Sequence, residues 1–380
     1  MNLSEFEYDL PLEQIAQRPL AERDGSRMLL LDRNAGRWED RLFREFPEVL
    51  RGDELIVLNN ARVIPARLFG RRKGLHAEPL GKHNPARREF LQTQVEVLLV
   101  RRLGPDRWEA LVRPGRKLPA GEQIVFDDGP VKATIESRGP FGLRVLRFEP
   151  EHALEATLHK LGHIPLPPYI RRNDEPLDRE RYQTVYAREG AAVAAPTAGL
   201  HFTQQVLDRL RTRQIEIAEI TLDVGLGTFE PVRTEKLEDH RIHEESYEIG
   251  EAAAAALQRA QRESRPVLAV GTTVVRALED AAEKSSVASH GRSIEIEPGK
   301  RTAGIFLYPG KPFRIVNQLL TNFHLPRSTL LAMVAAFAGR ESVLAAYKHA
   351  VNTGYRFYSY GDCMLIRQAL PASPQPEEDP

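Results

Sequence analysis

The chain has 380 residues, 42% of them hydrophobic, and its 53 Lys and Arg are balanced by 53 Asp and Glu. That length suits two or three domains with real cores, and zero net charge excludes a uniformly basic nucleic-acid coat. A single cysteine, Cys363, excludes a disulfide framework and a cysteine-rich zinc site. With no long apolar run and no basic, apolar leader, the expectation is a cytoplasmic protein without a membrane span.

In chain order, Tyr8-Asp9-Leu10-Pro11 precedes a short helical pattern at 12–17 that Arg18-Pro19 ends. Glu22-Arg23-Asp24-Gly25-Ser26-Arg27 is a charged turn before an apolar run at 28–31, which reads as a buried strand. A second strand at 54–58 ends in Asn59-Asn60-Ala61-Arg62, and α/β sheets place ligands at such polar strand ends. From 68 to 148 the texture changes. Short β-like runs at 95–100, 108–112, 123–126, 131–135 and 143–148 alternate with Gly, Pro and Asp turns, and 75–88 reads as a polar loop. Such spacing, about ten residues with no helical period, predicts a small antiparallel barrel. The flanks read as α/β, so the predicted fold class is a layered α/β domain (1–67 plus 151–370) interrupted by an inserted β-barrel (68–150). Between Ala66 and Ala120, thirteen Lys and Arg stand against five acids, a net of +8. Arg71, Arg72, Lys73, Arg113, Arg116 and Lys117 therefore form a candidate phosphate-binding face; the plain alternative is a solvated surface.

After a helix at 151–161, a Pro-rich stretch from Ile164 to Arg172 is neither helix nor central strand. Residues 193–203 (Val193-Ala194-Ala195-Pro196-Thr197-Ala198-Gly199-Leu200-His201-Phe202-Thr203) read as a tight loop of small residues that another group approaches closely. Thr203 caps the following helix at 203–213. A strand at 215–224 leads to Gly225-Leu226-Gly227-Thr228. A helix at 251–263, a strand at 267–270, Gly271-Thr272-Thr273 and a helix at 274–284 come next, then a polar stretch at 285–300. Thr321-Asn322-Phe323-His324 precedes a helix that Ser328 caps and Gly339 ends. After a further helix, 355–362 and 364–366 read as the last strands, and 371–380 as a disordered tail.

Several stretches bear chemistry. A strand, a Gly and two hydroxyls at a helix start, as in Gly271-Thr272-Thr273, make a carboxylate or anion cradle; a plain N-cap is the other reading. His240 and His243 share a helical spacing, but no third ligand or intervening Glu is evident, so no metal site is predicted. Asp223-Val224-Gly225-Leu226-Gly227 superficially matches a methyltransferase nucleotide loop. Pro231 follows where a helix should open, which argues against that match.

Taken together, the stretches resemble one family over nearly the whole chain, the S-adenosylmethionine:tRNA ribosyltransferase-isomerases of queuosine biosynthesis. The matching motifs are Tyr8-Asp9-Leu10-Pro11, Arg23-Asp24-Gly25-Ser26-Arg27, Val63-Ile64-Pro65-Ala66-Arg67-Leu68, Pro167-Pro168-Tyr169-Ile170 and Tyr182-Gln183-Thr184-Val185-Tyr186. Further matches are 194–202, 224–229, Gly271-Thr272-Thr273, 321–326 and Tyr358-Ser359-Tyr360-Gly361-Asp362. Asp223 stands where the family more often has His, and 81–90 looks like an added basic insertion.

The resemblance implies an α/β domain interrupted by a barrel. It also implies transfer of the ribosyl part of S-adenosylmethionine to the aminomethyl group of a 7-deazaguanine at the tRNA wobble position, with isomerisation to an epoxycyclopentane and loss of adenine and methionine. S-adenosylmethionine is consumed as co-substrate, so no resident cofactor or metal is expected. The implied partner is a tRNA with a GUN-type anticodon, and the protein is expected to act as a monomer. Abstracting a proton beside the sulfonium needs a base, for which His201 and His324 are the candidates; Asp9 and Asp24 are candidate binding or orienting groups. Phe202, Phe323, Tyr358 and Asp362 are candidates to face the sulfonium, and Thr272, Thr273 or Arg62 to hold the methionine carboxylate. Arg23, Ser26, Arg27, Asn59, Arg67, Thr197, Gly199, Gly225, Gly227, Thr228, His240, His243, Thr321 and Asn322 complete the expected substrate site. Two other readings stay open: a non-catalytic tRNA-binding module and an S-adenosylmethionine-dependent tRNA methyltransferase.

Overall fold

Strands of alternating apolar residues build a sheet buried on both faces. The computed structural model describes residues 1–74, 94–115, 118–126, 129–223, 234–242, 244–288 and 294–368. The chain begins its regular structure with β1 (Arg27–Asp32), β2 (Arg37–Leu42), α1 (Phe46–Val49), β3 (Leu55–Asn59) and the short β4 (Ala61–Val63). The barrel strands follow: β5 (Arg67–Arg72), β6 (Gln94–Arg102), β7 (Arg107–Arg113), β8 (Gln123–Phe126), β9 (Lys132–Arg138) and β10 (Leu143–Glu149). The chain then returns through α2 (Leu154–Leu161), α3 (Asp178–Arg181), β11 (Glu189–Ala192), α4 (Gln204–Thr212), β12 (Glu216–Asp223) and β13 (Glu245–Ile249). It finishes with α5 (Glu251–Arg262), β14 (Val267–Val270), α6 (Thr272–Ala288), β15 (Gly299–Ala303), β16 (Gln318–Asn322), α7 (Thr329–Ala338), α8 (Arg340–Asn352) and β17 (Cys363–Arg367).

The main sheet has nine strands in the order β15-β13-β12-β3-β14-β16-β17-β1-β2. Its four middle strands, β12, β3, β14 and β16, run parallel, while β17 and β1 run the other way. Period-two alternation assigns side chains to the two faces. Leu29, Leu55, Val57, Ala269 and Met364 pack against α5 to α8, whereas Met28, Ile56, Leu58, Val270 and Leu365 pack against α1 and α4. A strand buried on both sides must be apolar throughout, which is why 28–31 and 267–270 are continuous apolar runs. The barrel closes in the order β10-β7-β6-β5-β8-β9, all pairs antiparallel. Val95, Val97, Leu99, Ala110, Ile124 and Ile135 point inward. The layered α/β sheet and the barrel agree with the sequence expectation.

Some local expectations fail. Residues 355–362 are not a strand: Tyr358 adopts φ +72°, and this segment folds into a compact turn before β17. The polar stretch 285–300 begins as the last turn of α6 and ends in β15. β2, with its exposed edge sequence Arg37-Trp38-Glu39-Asp40-Arg41-Leu42, carried no apolar signal. The loop at 75–88, the Gly225-to-Thr228 stretch and the 371–380 tail lie outside the described residues. No single helix among the described residues is long and apolar enough to cross a membrane.

Candidate active cleft

Two parallel strands end side by side and open the cleft. β14 ends at Val270, and Gly271, at φ +97°, turns the chain into α6 in a backbone region that L side chains rarely adopt. Thr272 and Thr273, the first residues of α6, are buried and line the cleft beside its orphan N–H groups. β16 ends at Thr321 and Asn322, which with Phe323 and His324 form the adjoining wall. The rest of the lining comes from 194–198, Leu330, Tyr169, Tyr358 and Ser359. The cleft measures about 590 Å³ including its open mouth. Tyr169 lies against Tyr358 with ring centroids 4.0 Å apart, and its hydroxyl meets Ser359 Oγ at 2.5 Å.

The two histidines differ in what they offer. His324 Nε2 lies 2.8 Å from Thr321 Oγ1. In the tautomer where the Thr321 hydroxyl turns to the Asn322 carbonyl, 3.2 Å away, Nε2 is protonated and Nδ1 carries the lone pair; where the hydroxyl turns to Nε2, the two nitrogens exchange roles. The residue is braced at the main chain, with the Tyr8 hydroxyl donating to its carbonyl at 2.5 Å and its N–H donating to Tyr347 Oη at 3.1 Å. Burial pushes the imidazole pKa down to about 3, so it is a neutral proton acceptor.

His201 has both nitrogens engaged. Asn322 Nδ2 faces two carbonyls that only accept, those of Tyr358 at 3.1 Å and Asp362 at 3.4 Å, which fixes the amide orientation. The same Nδ2 therefore donates to His201 Nε2 at 3.2 Å, and His201 Nδ1 donates to Ser26 Oγ at 2.7 Å. Burial, then the nearby Arg23 and Arg356 charges, push this pKa down to about 3 as well. His201 does not line the cleft; it holds Asn322. The Asn322 Oδ1 is buried on the far side of its amide and has no hydrogen-bond partner among the described residues.

Of the residues singled out in the sequence, Thr197, Thr272, Thr273, Thr321, Asn322, Phe323, His324 and Tyr358 meet at this cleft. The Phe323 ring packs on Tyr347, Tyr355 and Phe357. The others serve elsewhere. Asp9 is exposed; within its motif Tyr8 is the residue that reaches the site. Asp24 accepts weakly from Thr203 Oγ1 at 3.5 Å, in a separate groove. Arg23 donates to the Leu200 and Glu180 carbonyls, and Ser26 to the Arg23 carbonyl. Arg27 pairs with Asp40, donates to the Thr353 carbonyl and lies 3.7 Å over Tyr355. Asn59 Oδ1 accepts from the Ala61 and Leu222 amides, a brace at the end of β3. Arg67 pairs with Glu96 and donates to the Leu166 carbonyl, and Arg62 is exposed on β4.

Phe202 packs in the core against Phe43, Phe46 and Tyr186. The Asp362 carboxylate accepts from the Arg27 and Arg356 amides. Neither lines the cleft. Gly199 is small because the Tyr186 hydroxyl occupies the space beside it, not because a nucleoside approaches. His240 packs edge-on to Phe306. Arg72, only 8% exposed, does not belong to an outer basic face, whereas Arg71, Lys73 and Arg113 are exposed. Gly225, Gly227, Thr228, His243, Arg116 and Lys117 lie outside the described residues. The cleft residues missed from the sequence are Tyr169, Ser359 and Leu330. Tyr169 sits in a Pro-rich stretch, and its aromatic ring after Pro167-Pro168 was the available signal.

Residues 3–366 match the family described as queuosine biosynthesis protein. Over 96% of this chain and the full length of each relative, the chain is 54% identical to the S-adenosylmethionine:tRNA ribosyltransferase-isomerase of Solibacter usitatus and 48% identical to that of Moorella thermoacetica. It is also similar to the solved S-adenosylmethionine tRNA ribosyltransferase of Thermotoga maritima, at 34% identity and a TM-score of 0.50, over 96% of this chain and all of the other.

Proposed function

The chain belongs to the queuosine biosynthesis family of S-adenosylmethionine:tRNA ribosyltransferase-isomerases, and from that premise we propose the reaction it carries out. It transfers and isomerises the ribosyl moiety of S-adenosylmethionine onto 7-aminomethyl-7-deazaguanine at the wobble position of a tRNA with a GUN-type anticodon. The products are epoxyqueuosine-tRNA, adenine and methionine. The protein works as a cytoplasmic monomer, with S-adenosylmethionine consumed rather than retained.

The observation that carries this reading is a single cleft that joins Thr321, Asn322 and His324 on one wall to Thr272 and Thr273 at the donor-rich start of α6. His324 Nδ1 takes the C5′ proton, which the adjacent sulfonium makes acidic; a positioned base is worth about 10²–10⁴ in rate. The electron pair left at C5′ forms the C4′=C5′ bond as C4′–O4′ breaks, and the O4′ pair then forms the C1′ carbonyl as the C1′–N9 bond to adenine breaks, so the adenine ring nitrogen must be protonated or hydrogen-bonded as it leaves. Thr272, Thr273 and the α6 N–H groups suit either that nitrogen or the methionine carboxylate. The paired Tyr169 and Tyr358 rings offer a face to a base or to the sulfonium. His201 acts through Asn322 as a positioning residue.

Incubation with S-adenosylmethionine and a tRNA carrying the aminomethyl-deazaguanine tests this. Free adenine should appear in step with a heavier, ribosyl-derived wobble nucleoside. Bound tRNA without adenine release overturns the reading.

A further inference from the structure

Behind His201, on the side away from the active cleft, lies a second, narrower cavity of about 290 Å³. Ser359 borders both cavities, and Glu22, Arg23, Ser26, Arg181 and His201 line this one. Its two arginines spend their donors on main-chain carbonyls. Arg23 reaches Leu200 at 3.2 Å and Glu180 at 2.8 Å; Arg181 reaches Ala21 at 2.9 Å and Leu20 at 2.8 Å. Neither forms an ion pair with a carboxylate among the described residues. Nearby arginines do: Arg18 with Glu175, Arg44 with Glu22 and Arg209 with Glu48.

Carbonyls fix the direction of a guanidinium but cancel none of its charge. Two half-buried cations held in this way, with the Arg44-paired Glu22 as the one carboxylate among the described residues lining the cavity, leave an electrostatic demand for an anion. Burial, and next the Arg181 charge, already disfavour the charged form of Arg23. The cavity is too narrow for a nucleoside and suits a tetrahedral anion. A wider groove shares Glu22, Arg23 and Arg181 with it and runs past Arg44, Arg209, Asp24 and Glu180 to the start of α4 at Thr203 and Gln205, where orphan N–H groups favour a negative charge.

We propose that Arg23 and Arg181 hold a backbone phosphate of the tRNA anticodon loop beside the nucleotide being modified, and that the α4 groove carries the strand onward. The proposal rests on tRNA being the substrate. The same anion chemistry could serve the methionine carboxylate, so the test separates the two sources.

Arg23→Gln and Arg181→Gln variants are compared with wild type by direct tRNA binding across a salt series and by titration of S-adenosylmethionine without tRNA. The expected result is at least a ~10-fold loss of tRNA affinity, with the salt slope smaller by about 1 per lost contact, and S-adenosylmethionine affinity within about 2-fold of wild type. A folded variant with unchanged tRNA affinity and slope overturns the proposal, as does selective loss of S-adenosylmethionine binding. Because these arginines also brace main-chain carbonyls, the wild-type protein is labelled in parallel with an arginine-specific dicarbonyl and read by mass spectrometry. Unmodified tRNA should protect Arg23 and Arg181; no protection, or protection by S-adenosylmethionine alone, overturns the assignment even where a variant fails to fold. Adenine release by the wild type is scored separately, so failure of the reaction and failure of the phosphate site stay distinguishable.

Discussion

Asn322 decides what each histidine can do. Its amide nitrogen is pinned by the Tyr358 and Asp362 carbonyls, which makes His201 Nε2 an acceptor and turns Oδ1 away from all three. In Asn322→Asp a carboxylate oxygen would face those carbonyls, so we expect a stability loss of about 1–3 kcal/mol in denaturant unfolding and loss of adenine release. In His324→Ala, adenine release should fall by about 10²–10⁴ with folding retained; activity within a few-fold of wild type would remove His324 from the base role. Gly199 gives a prediction in the opposite direction. A Cβ there would lie 2.1 Å from Tyr186 Oη and 2.8 Å from Thr184 Cγ2, so Gly199→Ala should destabilise by about 1–3 kcal/mol. The Tyr186 hydroxyl is itself buried without a partner, so Tyr186→Phe should be neutral or stabilising and should rescue much of the Gly199→Ala loss. At this scale the sequence was only partly legible. The Thr321-to-His324 and Gly271-to-Thr273 clusters do reach one cleft, but Arg27, Asn59 and Asp362 spend their polar atoms on main-chain groups. A motif cannot distinguish a carboxylate that meets a ligand from one that gathers amides, because both require the same residue in the same place.

Elements were easier to read where a cap or an apolar run marks them. Thr203 Oγ1 accepts from the Val206 amide and starts α4, and Ser328 Oγ accepts from the Leu331 amide and starts α7. Ser328→Ala should cost about 0.5–2 kcal/mol in chemical unfolding and displace Leu330 at the cleft. The 355–362 segment misled because Tyr355 and Phe357 alternate with Arg356 and Tyr358 in burial, the period of a strand. The Asp362 carboxylate instead draws in the Arg27 and Arg356 amides, and the segment closes into a turn. On β5 the strand period divides the basic run: Arg71 and the following Lys73 are exposed while Arg72 turns inward. If this barrel face also meets tRNA, Arg71→Gln with Lys73→Gln should lower the salt slope of binding by about 1–2; an unchanged slope removes the barrel from the interface.

For the molecule as a whole, the two buried imidazoles set a pH limit. Both have pKa values near 3 in the fold, against about 6.5 in an unfolded chain. The unfolded state therefore binds more protons below that value. Stability is complete above pH 6.5 and falls as pH drops through 6 and 5, by up to about 1.4 kcal/mol per pH unit for each imidazole. Thermal unfolding should follow that slope, and His324→Gln should make it shallower; a melting temperature flat from pH 7 to 5 would contradict the burial of both groups. The order of the main sheet carries a different consequence. β17 lies between β16 and β1, so β1 and its hairpin partner β2 join the remaining strands only through β17. During synthesis the first strand pair thus waits, with a bare edge, until Cys363–Arg367 has emerged, a long-range closure of the kind that folds slowly and is prone to mispairing. The Tyr358 and Asp362 carbonyls that orient Asn322 lie in the turn leading into that strand, so the cleft is assembled by the same late event that completes the sheet.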